Sequence, residues 1–227
     1  MKQKKILIAC EESQAITKEF RALGYEAFSC DLLPASGGYP EWHIQGDAIK
    51  EAYSGKYDLM VAHPPCTYLA VSGNRWLYNK DGSRNEERYK LQAEALAFVR
   101  ILMKAPITHI ALENPVSVIS SKIRKPEQII QPWQFGDEAQ KTTCLWLKNL
   151  PKLEHTKIVD KGEFDEWISK KGKRKRQPKW YTEAFTKSKT PEERRTLRSK
   201  TFPGIAKAVA TQWSKALEEN YNKELFN

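Results

Sequence analysis

Short apolar runs alternate along the chain with stretches whose apolar positions recur every three or four residues. Lys5-Ile-Leu-Ile-Ala-Cys10, Tyr25-Glu-Ala-Phe-Ser-Cys30, Tyr57-Asp-Leu-Met-Val-Ala62 and Ile107-Thr-His-Ile-Ala-Leu112 have the pattern of strands buried in a parallel sheet. Between them, Ala15 to Leu23 puts Ile16, Phe20 and Leu23 on one helical face and stops at Gly24. A helix from about Asn85 to Lys104 carries Ala95, Phe98, Val99 and Leu102 at core spacing. Cys144-Leu-Trp-Leu147 predicts one more strand. A closing helix from Ile205 to about Tyr221 turns Ala206, Val209, Ala210 and Trp213 to the core. Strand, helix, strand, repeated, predicts an α/β fold with a doubly wound, mostly parallel sheet. Ligands of such sheets lie beyond the carboxyl ends of the strands, and Asp31, Asp47, Cys66 and Glu113 all fall there.

Composition narrows the class. The 227 residues are 40% hydrophobic, enough for a real core, and mean hydropathy is −0.66. No apolar run approaches the roughly 18 residues of a membrane span. After Met1-Lys-Gln-Lys-Lys5 only five apolar residues precede Glu11, too few for the apolar core of a signal peptide, so a cytoplasmic protein is expected. Cys10, Cys30, Cys66 and Cys144 form no CxxC pair, and His43, His63, His109 and His155 add no metal-ligand spacing. Reduced thiols and no metal are therefore expected.

Charge changes the picture more. The net charge is +10, and between Lys170 and Lys200 there are 13 Lys or Arg against 3 Glu, a surplus equal to that of the whole chain. A neutral body with one cationic segment suits a polyanionic partner, because neutralised phosphates release counterions. A solvated basic loop is the competing reading. Lys173, Arg174, Lys175 and Arg176 precede Trp180, Tyr181 and Phe185, placing phosphate-binding charge beside rings able to stack on bases. The expected organisation is a catalytic α/β domain over 1–150, a small basic DNA-contacting region over 151–200, and a helix over 201–227 that returns to the catalytic domain.

Cys66 follows two prolines at a strand end, so a stiff turn holds its thiol at the sheet edge. That is a candidate nucleophile, given a base or a lowered pKa; an inert thiol is the alternative. Glu113, in Glu-Asn-Pro after a buried strand, is placed to exchange a proton beside Cys66. A structural Glu bonded to backbone amides is the alternative there.

His63-Pro-Pro-Cys66 after Asp58-Leu-Met-Val-Ala62, followed some fifty residues later by Leu112-Glu-Asn-Pro115, resembles the Pro-Cys and Glu-Asn-Val motifs of the DNA cytosine-C5 methyltransferases, especially short phage-encoded members. Further segments agree in order. Ile6-Leu-Ile-Ala-Cys-Glu-Glu-Ser13 stands at the cofactor loop, Cys30-Asp31 at the acid that binds the cofactor ribose, and Gly46-Asp47-Ala48-Ile49 at the segment contacting its adenine. Thr201-Phe-Pro-Gly-Ile-Ala-Lys-Ala208 resembles the closing segment that returns to the cofactor pocket. The resemblance covers roughly residues 5–150 and 199–214. Each motif is short; their joint order carries the likeness.

The resemblance implies a Rossmann-like fold that uses S-adenosylmethionine and acts on duplex DNA with a flipped-out cytosine. It implies that a Cys66 thiolate adds to C6, that Glu113 holds or protonates the ring at N3 and contacts its exocyclic amine, and that the methyl group goes to C5, after which a base removes the C5 proton and elimination frees Cys66. Cys10, Glu11, Glu12, Ser13, Asp31, Asp47 and Pro64 would hold the cofactor. Pro65, Asn114, Lys141, Arg75, Lys173, Arg174 and Arg176 would meet DNA, Arg75 from a lid over Thr67 to Arg84 that also carries Trp76. A monomer or weak dimer is expected. The chain departs from the family in three places. Its cofactor loop has no glycine, Gln140-Lys-Thr-Thr143 only echoes the Gln-x-Arg-x-Arg segment, with Lys141 in place of one Arg, and the sequence-reading region is about 50 residues. Three alternatives accompany this reading: an amino-methyltransferase, C5 modification of free deoxycytidine monophosphate, and an inactive DNA-binding relative. The first uses Asp, Asn or Ser before Pro-Pro and an aromatic after it, where this chain has His63 and Cys66.

Overall fold

The computed structural model describes residues 4–225, with side chains throughout except at 192, 195 and 219–225. Residues 1–3 of the basic N-terminal stretch and 226–227 of the closing segment lie outside the described residues. The chain alternates as expected through its first half: β1 (Lys5–Ala9), α1 (Ala15–Ala22), β2 (Glu26–Asp31), β3 (His43–Gln45), α2 (Ala48–Ala52), β4 (Leu59–Ala62), α3 (Glu86–Met103) and β5 (His109–Pro115). There follow α4 (Ile119–Lys122), β6 (Gln128–Ile130) and β7 (Thr143–Lys148). These strands make one seven-stranded sheet in the order β3-β2-β1-β4-β5-β7-β6. The first five run parallel, and β7 runs antiparallel to both its neighbours. The order reverses between β1 and β4, the place where an open α/β sheet parts to leave a crevice.

Each face of the sheet is covered. Ile6, Ile8, Leu59, Val61 and Ala111 pack with Ile16 and Phe20 of α1 and with Val209 and Trp213 of the closing helix α7 (Pro203–Leu225). Leu7, Met60, Ile110 and Leu112 pack on the other side with Leu96, Val99 and Leu102 of α3. Burial on both faces explains why the central strands read as unbroken apolar runs. Ala206, Val209, Ala210 and Trp213 are buried as the spacing predicts. Leu23 is not: it follows the last turn of α1 and stands 47% exposed.

Two differences from the sequence reading matter for the site. The apolar pattern closes the fifth strand before Glu113, yet β5 continues to Pro115, because antiparallel β7 goes on pairing with it where parallel β4 has ended (Glu113 opposite Leu145, Asn114 opposite Cys144). The basic region also has regular structure. A separate hairpin, β8 (Phe164–Ile168) and β9 (Arg174–Pro178), leads into α5 (Lys179–Lys187) and α6 (Pro191–Ser199). Among the described residues no helix is long and apolar enough to cross a membrane.

Candidate active site

Sheet register brings the chemistry together. Val61 of β4 lies opposite Ala111 of β5, and Ala62 opposite Leu112. One residue further on, His63 and Glu113 therefore emerge side by side on the same face. His63 Nδ1 lies 3.0 Å from Glu113 Oε2, with side chains 14% and 23% exposed. The chain then turns: Pro64 is buried, Pro65 and Cys66 are exposed, and the Cys66 carbonyl accepts from the amides of Leu69 and Ala70. Asn114 ties this turn to β5 by donating its Nδ2 to the Pro64 carbonyl at 2.8 Å.

The opposite wall comes from the loop before β7. Lys141 Nζ donates to the carbonyls of Ser199 and Lys200 at 3.3 and 2.9 Å. A cation thus sits at the carboxyl end of α6, where helix carbonyls lack partners. Trp180 Nε1 of α5 donates to the Gln140 carbonyl at 3.0 Å, and its ring lies edge-on to Phe202. The basic region is therefore anchored against the α/β body through the loop that carries Lys141. Trp180 serves that anchoring rather than standing free to stack on a base; Trp167 on the hairpin and Phe185 on α5 are exposed, at 45% and 44%.

The charges act on one another. Burial pushes the Cys66 thiol up and the Glu113 charge adds to it, while Lys141 and Arg198 of α6 pull it down. Burial alone would raise Glu113, but the His63 hydrogen bond and charge, together with Lys141, hold it below the ordinary carboxylate value. Burial alone would lower His63, but Glu113 and the charge of Glu11 carry it above the ordinary imidazole value. Burial lowers Lys141, opposed by Glu113 and Cys66. His63, Glu113, Lys141 and Thr143 border a cavity of about 30 Å³ beneath the sheet edge, room for roughly one water; Cys66 is not part of its lining. A larger groove of about 700 Å³ runs between Phe135, His155 and Lys207. It contains none of these groups, so the chemistry lies elsewhere.

At the other side of the crevice are the candidate cofactor residues. Cys10 and Gln14 adopt left-handed conformations (φ 60° and 59°), which a glycine would enter more easily. The strain is held by contacts: Gln14 donates to the Tyr39 carbonyl at 2.7 Å and accepts from the Tyr39 amide at 3.0 Å. The close approach comes from the facing loop, where a Cβ on Gly37 would stand 2.4 Å from the Ser13 carbonyl oxygen. The Cys10 thiol is pushed up by burial and by the charges of Asp31 and Asp47. Asp31 accepts from the Leu33 amide, and Asp47 caps α2 by accepting from the Ile49 amide. Glu12 is held through its backbone, its carbonyl accepting from the Ser36 amide. Glu11 differs from expectation. It is buried, and its carboxylate accepts from the Ile16 and Thr17 amides and the Thr17 hydroxyl, so its oxygens cap α1 instead of facing a ligand.

The remaining candidates are spread over the surface. Arg75 is exposed on the segment Val71–Leu77, which buries Leu77, and its guanidinium lies 4.5 Å from the ring centre of Trp76, itself 54% exposed. Lys173, Arg174 and Arg176 are exposed on the hairpin; Arg174 pairs with Glu166, and Arg176 lies 3.8 Å over the Phe164 ring. Sequence reasoning gives no site role to His63 or Arg198. The two-residue alternation Leu59, Val61, His63 matches Ala111, Glu113, and that parity could have marked His63; Arg198 depends on the docking of α6 and leaves no such signal. Comparison of the sequence with protein-family models and with curated proteins returned no match.

Proposed function

We propose that the chain is a DNA cytosine-C5 methyltransferase using S-adenosylmethionine. The observation that carries this reading is an exposed thiol, Cys66, within electrostatic reach of a carboxylate, Glu113, and an ammonium, Lys141, beyond the carboxyl edge of the parallel strands. A thiolate at Cys66 would form a bond to C6 of a flipped cytosine, pushing the C5–C6 electron pair toward N3 and leaving C5 nucleophilic. Glu113, with one oxygen engaged by His63, would accept from the exocyclic amine with the other, while N3 takes up a proton as the electron pair reaches it. Once C5 carries the methyl group, a base removes the C5 proton, elimination frees the Cys66 thiolate, and N3 gives its proton back. Asn114 fixes the Pro64 to Cys66 turn, so the sulfur approaches from a set direction.

The residues around Cys10 suit the cofactor. Asp31 and Asp47 are acceptors for ribose hydroxyls and an adenine amine, and the backbone of Cys10, Glu12 and Ser13 supplies the loop, tightened by Gly37. When bound, the sulfonium cofactor supplies the methyl group. The exposed hairpin of Lys173 to Arg176 would position the duplex through its phosphates, and the Arg75–Trp76 segment lies where a lid would close over the base.

The test is to incubate the protein with labelled cofactor and DNA and locate the label. Label on C5, a trapped adduct with DNA containing 5-fluorocytosine, and loss of both in Cys66→Ser are expected. Label on an exocyclic amine, or full turnover by Cys66→Ser, would overturn the reading. Label on free deoxycytidine monophosphate but not on DNA would favour the nucleotide enzyme, and DNA binding with neither label nor adduct an inactive relative.

A further inference from the structure

The sheet places a histidine behind the Glu113 carboxylate. His63 follows the end of β4 directly opposite Glu113, its amide donates to the Ala9 carbonyl at 2.9 Å, and its Nδ1 meets Glu113 Oε2 at 3.0 Å. Its Nε2 is buried with no hydrogen-bond partner. Among the described residues Glu113 Oε1 has none either, and it is the oxygen left for a ligand. The charged and titratable groups around the pair come from three sides: Glu11 from the loop after β1, Lys141 from the loop before β7, and Cys66 from the turn after β4.

Resting on the function proposed above, the geometry points to His63 as the positioning residue for Glu113: it pins Oε2 so that Oε1 faces the exocyclic amine of the target pyrimidine. A carboxylate held by one fork has a single remaining orientation, whereas an unpinned Glu on a strand rotates about three torsions. The imidazolium also offsets the burial of Glu113, as a cation within hydrogen-bond reach favours the ionised carboxyl. Glu11 belongs to the same line of charges, because the charge of the carboxylate that caps α1 also acts on His63.

His63→Ala removes both pin and charge; His63→Asn keeps an amide donor near Nδ1 without the charge. For methyl transfer to DNA, His63→Ala is expected to lower kcat by about a hundredfold with KM for cofactor unchanged. His63→Asn is expected to recover much of that loss while the acid limb of its kcat profile moves to higher pH, since Glu113 without the cation protonates sooner. A readout independent of turnover is the ring ¹⁵N titration of His63, expected above the ordinary histidine value in the wild type and lower in Glu113→Gln. Identical His63 titrations in wild type and Glu113→Gln would overturn the proposal. So would His63→Asn no more active than His63→Ala, or an acid limb unmoved by either. Absence of methyl transfer by the wild type would reject the enzymatic function, and the positioning role of His63 with it, while the ¹⁵N titration still reported the pairing by itself.

Discussion

At the scale of single residues the decisive fact is how Cys66 is surrounded. It is the exposed one of four free thiols; Cys30 and Cys144 are buried and Cys10 half-buried. Burial and Glu113 disfavour its thiolate, and Lys141 and Arg198 favour it. Alkylation by iodoacetamide is therefore expected first at Cys66, with a rate that rises with pH to a midpoint above that of a free cysteine. The sign of each neighbour follows. Glu113→Gln removes an anion and should move the midpoint down, and Lys141→Ala removes a cation and should move it up. Peptide mapping of alkylated protein across pH reads both shifts, and a midpoint indifferent to Glu113→Gln would mean that thiol and carboxylate do not face each other. Cys66 and Glu113 are visible in the sequence because each stands at the end of an apolar run. His63 is visible as a residue but not as the partner of Glu113, since the pairing depends on register between strands some fifty residues apart.

Among elements, the loop between β1 and α1 is where local rules and tertiary contacts part company. Cys10 and Gln14 take conformations usually given to glycine, and the missing glycine is supplied by Gly37 of the facing loop after β2. A methyl group there would press on the Ser13 carbonyl at 2.4 Å and on the Gln14 side chain at 2.6 Å, the latter held by its own bonds to Tyr39. Gly37→Ala is expected to cost about 1–3 kcal/mol in urea unfolding, the usual range for overpacking, and to weaken cofactor binding in calorimetry. An unchanged midpoint and affinity would show that the two loops move apart freely. The strands and helices of the first half are legible because each carries its own periodicity. The extension of β5 through Glu113 is not, because it exists only where antiparallel β7 pairs with it. The hairpin of β8 and β9 is hidden for a similar reason. The basic run from Lys170 to Arg176 would suit any solvated loop by composition, and only cross-strand pairing, such as Trp167 opposite Lys175, gives it shape.

For the whole molecule the governing quantity is charge and where the fold puts it. The surplus of the chain lies in Lys170 to Lys200, and the structure divides that segment in two. The hairpin residues Lys173 to Arg176 face solvent, while the end of α6 turns its carbonyls to Lys141 and Arg198 lies over the Tyr181 ring. Charge reversal across Lys173, Arg174, Lys175 and Arg176 should weaken DNA binding and flatten its salt dependence by about 0.9 in logarithmic slope for each phosphate no longer neutralised. Binding titrations over a range of salt measure this, and an unaltered slope would return the hairpin to the status of a solvated surface. Periodicity and local composition carry the buried strands, the helices, the stiff Pro-Pro-Cys turn and the concentration of positive charge. Register and docking carry the pinning of Glu113 by His63, the glycine contributed from a facing loop, and the return of α6 to Lys141. The physical reason is that a side chain's face and immediate neighbours along the chain follow from short-range periodicity, whereas its partners across a sheet are set by long-range packing that no window of sequence contains.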